Sequence, residues 1–443
     1  MILGSTGTFT LLQRAKNPRF RLIECEPTTR AMIKPLLIVT LFALHATAYA
    51  TLAGGRPNAF SEGQNAFAGV VNPANAVWVT DRFDLGAFWV HQQSSLTNYD
   101  HNPLFPPNKI DLTHKSRNLF TADAAINKQV KLKIGSKTFE SSCSLAAYSL
   151  PSYVKLRTKV PILLIGTTPL VIHYKTDVIS AVFSLKLNAF HSIGFSIDYF
   201  YFSHRRDGYQ NSDNPLNSVS PGHVTNNGTD HSNGFGCSIG WRWKITKKLD
   251  FGVAWSKKSY CGQYRKYRGF EPHHAKNYAP QLVGAGFSYR FTSRLAGRLE
   301  VLWLNLGNLP YANNNVERDG SLNLHKRGSN QSPGSGLNDA TFVNIGIGYQ
   351  LHSRLSIGLG FSHRIKLARK SSIILSHIYM IETIYDTLSL GLNFNYRKHN
   401  LFLGIAYGFR NKTSGFMPIE MGGGRFRGEK QNASLSVSWG YLY

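Results

Sequence analysis

The last twelve residues, Asn432 to Tyr443, read NASLSVSWGYLY. Leu435, Val437, Trp439, Tyr441 and Tyr443 are apolar or aromatic. Ser434, Ser436, Ser438 and Gly440 between them are small or polar, with Leu442 the one exception. Strand side chains alternate with period two, so this stretch has one oily aromatic face and one small, wet face. An aromatic residue at the terminal carboxylate suits a strand ending at an aromatic-lined membrane interface better than an edge strand of a soluble sheet. The stretch therefore reads as the closing strand of an all-β, transmembrane antiparallel barrel.

Composition agrees. Charged residues make up 17% of the chain, against roughly 25% in soluble domains. Mean hydropathy is −0.21, too low for a helical membrane protein but ordinary for a barrel whose strands face water on one side. Near the N-terminus, Met32 to Ala50 has a lysine, a short apolar run from Leu36 to Leu44, and Ala48-Tyr49-Ala50. That is the form of an export signal with a small-x-small cleavage site, and the run is too short to anchor. The expected division is an upstream extension at 1–31 preceding a true start at Met32, a signal peptide at 32–50, a plug-like segment at 51–79, and a barrel at 80–443. Cleavage after Ala50 would remove six basic and two acidic residues from a net charge of +26, leaving +22. The bases are scattered over turns and strand ends and no nucleic-acid motif is present, so no nucleic-acid partner is expected. Lipopolysaccharide phosphates, or an anion-attracting lumen, fit the charge better.

Between residues 82 and 443 alternating segments recur. Six pairs flank short turns at 126–129, 188–191, 246–248, 292–294, 352–354 and 397–400, and the first and last strands bring the expected total to about fourteen. Four turns share a pattern: Trp243, Tyr289, Tyr349 and Tyr396 end a strand, and Leu249, Leu295, Leu355 and Leu401 begin the next. Aromatic girdles meeting short hairpins give this arrangement. The other connections, among them 93–116, 141–177, 205–233, 261–279 and 306–338, are expected to be long loops at the opposite end.

Thr51 to Val79 is Gly/Ala-rich, lacks sustained alternation and could not face lipid with its backbone unpaired. It ends near Asn72-Pro73-Ala74, a rigid turn into the first strand. A signal peptide, a short Gly/Ala segment containing N-P-A, and a barrel with an aromatic C-terminus together resemble the FadL/TodX family of outer-membrane transporters. The resemblance implies a hatch inside a fourteen-stranded barrel that carries long-chain fatty acids or other hydrophobic compounds. It also implies assembly machinery that engages the C-terminal strand. The segment here is shorter than the family's usual hatch.

Within 141–177, Val160 to Ile172 is apolar and broken by Pro161 and Pro169. Two readings stay open: a greasy surface formed by Ile162, Leu163, Leu164, Ile165, Leu170 and Val171 that captures a lipid-like molecule, or a plain strand extension. Lys155, Arg157 and Lys159 beside it are candidates to pair a carboxylate. Cys237 and Cys261 sit at the outer ends of one expected hairpin, so a disulfide is one option. Enzyme chemistry finds no support: Gly422-Gly423-Gly424 precedes no helix, and adjacent His273 and His274 in extended chain would point apart. No catalytic group, cofactor or metal is expected. The functions to weigh are a hydrophobic-compound channel, a general anion-preferring porin, and a surface interaction barrel working through its loops.

Overall fold

The computed structural model describes residues 59–98, 112–156, 170–309, 313–314, 317–318, 321–322, 325–334, 336–365, 386–416 and 425–443. The expected extension, signal peptide and residues 51–58 lie outside them. Fourteen strands form one closed antiparallel barrel. They are β1 (Arg82–Asn98), β2 (Leu112–Ile134), β3 (Lys137–Leu156), β4 (Leu170–Lys186), β5 (His191–Asp207), β6 (Asp230–Lys244) and β7 (Leu249–Ser256). The circuit continues with β8 (Gln281–Arg290), β9 (Leu295–Asn305), β10 (Ala340–His352), β11 (Leu355–Ile365), β12 (Asp386–Tyr396), β13 (His399–Phe416) and β14 (Arg425–Leu442). β14 closes the barrel on β1 in register from Arg82 opposite Leu442 to Asn98 opposite Phe426.

Period-two alternation sets the two faces. On β14, Leu435, Val437 and Trp439 are exposed, as is Tyr443 just past its end, while Ser436 and Ser438 are buried. On β5, Ile193, Phe195 and Ile197 face out while Ser192 and Ser196 are buried. The outward side is the lipid side of such a wall. At the end where the strands reverse tightly, aromatic rings stack: Trp241 lies 6.0 Å from Trp243, and His191 is within 5.8 Å of both. Three reversals use one device. The side-chain oxygens of Asn188, Thr246 and Thr292 each accept from two backbone N–H groups of the following turn.

Three expectations need correction. The reversal expected at 126–129 is wall: β2 runs on to Ile134, and the chain turns at Gly135, whose φ of 60° suits glycine. The polar Asn127 and Gln129 face inward, where both side-chain amides donate to Val79 O. The long loop expected at 141–177 is mostly strand, because β3 and β4 pair up to Leu156 opposite Leu170. These strands hold 20 and 17 residues, well beyond the ~9–11 that cross a bilayer, so the wall rises past the membrane. Cys237 and Cys261 are both free. Cys237 faces outward opposite Ile197, while Cys261 is buried against inward Gly234, so the wall separates the two thiols.

Residues 59–79 form a compact inner segment: helix α1 (Ala68–Val71) and a 3-10 turn, Pro73–Trp78. Asn72 caps the turn, its Oδ1 accepting from Ala74 N at 3.1 Å, and Pro73 fills the first position, where no N–H is needed.

Candidate functional site

The inner segment touches the inner faces of strands most of the way round the barrel, from β1 and β2 through β9. Asn72 Nδ2 donates to Phe60 O at 2.6 Å and to Trp241 O of β6 at 3.2 Å. Asn75 Nδ2 donates to Ala59 O at 2.7 Å. Ser192 of β5 donates to Ala74 O at 2.8 Å and accepts from Trp78 Nε1 at 2.7 Å. Phe60 N donates to Glu300 of β9 at 2.7 Å. On β1, the buried pair Arg82–Asp84, at 2.6 Å, grips the segment twice: Arg82 donates to Gln64 O and Asp84 accepts from Ala66 N, each at 2.8 Å. The N-P-A residues are thus the centre of a hydrogen-bonded joint between segment and wall.

That approach needs bare wall. Gly194, Gly240, Ala254 and Gly284 are cross-strand partners in one row over β5 to β8. A Cβ on Gly194 would lie 2.5 Å from Pro73 O, and one on Gly240 would lie 3.0 Å from Pro73 Cδ. Gly284 lies under the ring of Phe60. Close approach of the segment backbone, rather than any turn, is what these positions require. The sequence shows the glycines, but only the register shows that they form a row.

Toward the loop end, the segment meets an apolar core inside the barrel. Phe60 packs with Leu282, Leu302, Leu304 and Phe342 from β8 to β10, and with Leu306, Leu309 and Leu337 beyond the strands. Val71 of α1 packs against the same group. Each buried large side chain here contributes about 1.5–3 kcal/mol. At its edge, Asn344 is buried with neither amide atom hydrogen-bonded, and the Arg364 guanidinium lies 5.0 Å from the Phe342 ring centre. Toward the turn end, Trp78 is ringed by Lys244 at 3.8 Å, Lys186 at 4.4 Å and Arg242 at 5.3 Å.

The loop end carries a cap of interlocked connections. Val219 N donates to Arg327 O at 3.0 Å, Arg327 N to Asn217 O at 2.8 Å, and Gly328 N to Phe270 O at 3.1 Å. His273 and His274 are left-handed, with φ of 53° and 56°, in a tight turn whose N–H groups bond Ser329 O and Gly328 O. They are not the extended pair expected from sequence. Among the described residues no group of side chains is arranged to hold a metal ion.

Of the residues singled out in the sequence, Asn72, Pro73 and Ala74 meet in one joint. Leu435, Val437, Trp439 and Tyr443 line the outer face of the closing strand, with Tyr441 between them opposite Phe83. Val171 and Leu170 belong to β4, and Lys155 lies on β3 opposite Val171. Arg157, Lys159, Ile162, Leu163, Leu164 and Ile165 lie outside the described residues. Sequence reading missed the glycine row, the Arg82–Asp84 grip and the cap. The last two depend on which segments the fold brings together, not on any local pattern.

No protein-family model matches the chain, and no curated protein is similar to it in sequence. Solved structures are similar in fold. The TodX monoaromatic hydrocarbon channel, a deltaS2 mutant, superposes with a TM-score of 0.61 at 15% identity, covering 87% of this chain and 96% of that one. The Pseudomonas putida toluene transporter TodX gives 0.60 at 14%, over 91% and 100%. A Pseudomonas aeruginosa FadL homologue gives 0.59 at 14%, over 91% and 99%. Identity this low carries the fold and nothing finer. In fold, then, the chain is a barrel of the TodX and FadL type.

Proposed function

We propose that the protein is an outer-membrane channel for passive uptake of hydrophobic compounds, with long-chain fatty acids the expected class. In this reading the loop end faces outward, toward lipopolysaccharide, and the short turns face the periplasm. Residues 51–79 act as the hatch, and β14 carries the signal for barrel assembly. The observation that supports it best is the apolar core inside the barrel, where Phe60 of the inner segment packs on Leu282, Leu302 and Phe342 from β8 to β10 and on Leu309 beyond the strands. An open porin lines its passage with polar groups. Here the way through passes leucine and phenylalanine, which reward an apolar passenger at roughly 25 cal/mol per Å² buried. A passenger entering that core would take over its contacts with Phe60 and Val71, and so loosen the segment from the wall. The cationic ring about Trp78 then lies on the exit side.

The test compares cells with and without the protein for uptake of radiolabelled oleate and toluene, alongside swelling of proteoliposomes in small sugars. Protein-dependent uptake of either compound with no sugar entry is the expected result. Rapid sugar entry with no effect on either compound would replace this reading with the anion-preferring porin.

A further inference from the structure

Four consecutive reversals, those joining β6 to β7, β8 to β9, β10 to β11 and β12 to β13, carry the aromatic-to-leucine pattern seen in the sequence. The proposed channel makes no use of what lies between. Their turn residues include Lys247, Lys248, Arg294, Arg354, Arg397 and Lys398, all exposed, and no aspartate or glutamate. One backbone bond sets four of these bases in the same place. Lys248 O, Arg294 O, Arg354 O and Lys398 O each accept at 2.8 Å from an N–H near the turn end of β8, β10, β12 and β14 in turn. The bases therefore recur at one level, once for every two strands, or about 10 Å apart along the rim. The acids at this end are engaged elsewhere: Asp81 by Lys128, Glu140 by Lys186 and Asp250 by Arg242.

The arc is densest where it meets the closing strand. Arg354 and Arg397 lie 5.3 and 5.4 Å from the Tyr396 ring centre, and Lys398 lies 5.8 Å from that of Tyr441. No carboxylate among the described residues pairs with these three cations. A guanidinium held over a ring keeps its N–H edge for an oxyanion. Trp439 Nε1 donates to His399 Nδ1 at 3.2 Å, which leaves the imidazole proton on Nε2 as a further donor. Arg397 has a φ of 54°, in a two-residue hairpin between the paired Tyr396 and His399. Glycine, asparagine or aspartate is favoured there, so the turn gains nothing from an arginine.

We infer that this arc is a collar for anionic glycerophospholipid headgroups, with its densest seat at Arg354, Arg397 and Lys398. The strands beneath it choose lipid over a soluble partner. β7, β8, β9, β11 and β12 hold 8 to 11 residues, about the length that just crosses a bilayer. Their turns therefore lie at headgroup level, where aromatic girdles sit. Tyr396, which holds two of the cations, is exposed on the lipid side of the wall. Cations without acid partners favour headgroups of net negative charge over zwitterionic ones. This goes beyond the uptake reading and takes one point from it: the turn end faces the phospholipid leaflet and not lipopolysaccharide. Headgroups seated on the collar would fix the depth of the wall on its short side.

The test counts lipid bound to the purified full-length protein by native mass spectrometry. The probes are phosphatidylglycerol, phosphatidylcholine, lipopolysaccharide and polyglutamate. Phosphatidylglycerol is expected to bind more tightly than phosphatidylcholine. A cation near an anionic headgroup is worth about fivefold. Joint Arg354→Gln, Arg397→Gln and Lys398→Gln should thus weaken phosphatidylglycerol about a hundredfold and leave phosphatidylcholine unchanged. Arg397→Asn separates the site from folding: asparagine suits the left-handed turn, so the barrel should melt no lower while phosphatidylglycerol weakens about fivefold. Arg410→Gln, toward the loop end, is the control and should change neither lipid. The inference is overturned if the triple variant keeps its phosphatidylglycerol, or loses phosphatidylcholine or lipopolysaccharide as strongly. It is overturned too if Arg410→Gln weakens phosphatidylglycerol as much as Arg397→Asn does. Displacement of phosphatidylglycerol by polyglutamate would put a soluble acidic partner in the lipid's place.

Discussion

Substituting Gly194 by alanine tests the joint between inner segment and wall. A Cβ there would stand 2.5 Å from Pro73 O and 2.7 Å from Ala74 N, both backbone atoms that cannot swing aside as a side chain can. Restoring ordinary contact at ~3.5 Å requires the Pro73–Ala74 peptide to retreat by about 1 Å. Ser192 Oγ donates to Ala74 O at 2.8 Å, and a retreat of that size takes the pair beyond hydrogen-bonding range. The cap from Ala74 N to Asn72 Oδ1, already 3.1 Å, is strained by the same motion. Two buried bonds left unsatisfied cost about 1–3 kcal/mol each, hence about 2–6 kcal/mol against the docked segment. Each 1.4 kcal/mol is about tenfold in population, so an undocked form rises by at least one order of magnitude. The barrel itself does not suffer, because alanine is favoured over glycine in a strand by about 0.5–1 kcal/mol. Hydrogen–deuterium exchange of the amides from Ala74 to Val79 is the direct readout, and sugar-driven vesicle swelling is the functional one. Gly346→Ala is the control, because its Cβ would crowd the flexible Arg298 side chain, at 3.1 Å, while the backbone O of Leu359 stays at an ordinary 3.6 Å. Equal protection of those amides in Gly194→Ala and the unmodified protein would refute the reasoning.

Other substitutions probe other parts. Asp84→Asn leaves Arg82 buried without its anion; the cost is about 3–5 kcal/mol, read as a lower temperature for the heat-induced shift in electrophoretic mobility. Burial pushes the Cys261 thiol up to about 11. Only about one molecule in a thousand then carries the thiolate at pH 8, and maleimide labelling should accelerate about tenfold per pH unit up to that value. In detergent, exposed Cys143 and Cys237 should react first; equal rates for all three thiols at pH 8 would contradict the burial of Cys261. Deleting Leu442 and Tyr443 removes the pairing with Arg82 and the Tyr443 hydroxyl bond to Asn127 O. Less folded barrel should reach the outer-membrane fraction, and an undiminished yield would argue against β14 as the assembly signal.

The outer face was legible because lipid imposes one rule on it. Every second residue must be apolar wherever the wall meets hydrocarbon, and that rule gave the strand number, the short turns with their aromatic ends, and the orientation of Leu435, Val437 and Trp439. Polar content misled where the rule lapses. Ile126-Asn-Lys-Gln129 has the composition of a turn, yet Asn127 and Gln129 are polar because they bond to the inner segment. The stretch after Ser141 was harder to read because serine and alanine recur along β3, although Ser142, Ser144 and Ala146 are buried and Leu145 between them is exposed. Strand pairing between β3 and β4 continues up to Leu156 opposite Leu170.

The inner face answers to whatever lies against it, and β5 shows how locally that is decided. Its inward residues read, from loop end to turn end, Arg206, His204, Phe202, Phe200, Asp198, Ser196, Gly194 and Ser192. Arg206 meets Glu271 and Phe270; His204 lies 4.2 Å from the Tyr174 ring; Asp198 accepts from the hydroxyls of Ser180, Ser196 and Ser238. Gly194 and Ser192 then receive the N-P-A turn, one by being absent and the other by donating to Ala74 O. No period in the sequence generates that order: cation, aromatic file, buried acid, bare backbone. It becomes intelligible only when each position is matched with a segment that the barrel's closure brings to it. The lipid-facing half of each strand is therefore replaceable by any apolar set that keeps the alternation. The inward half is not, and a passenger's chemistry is written there.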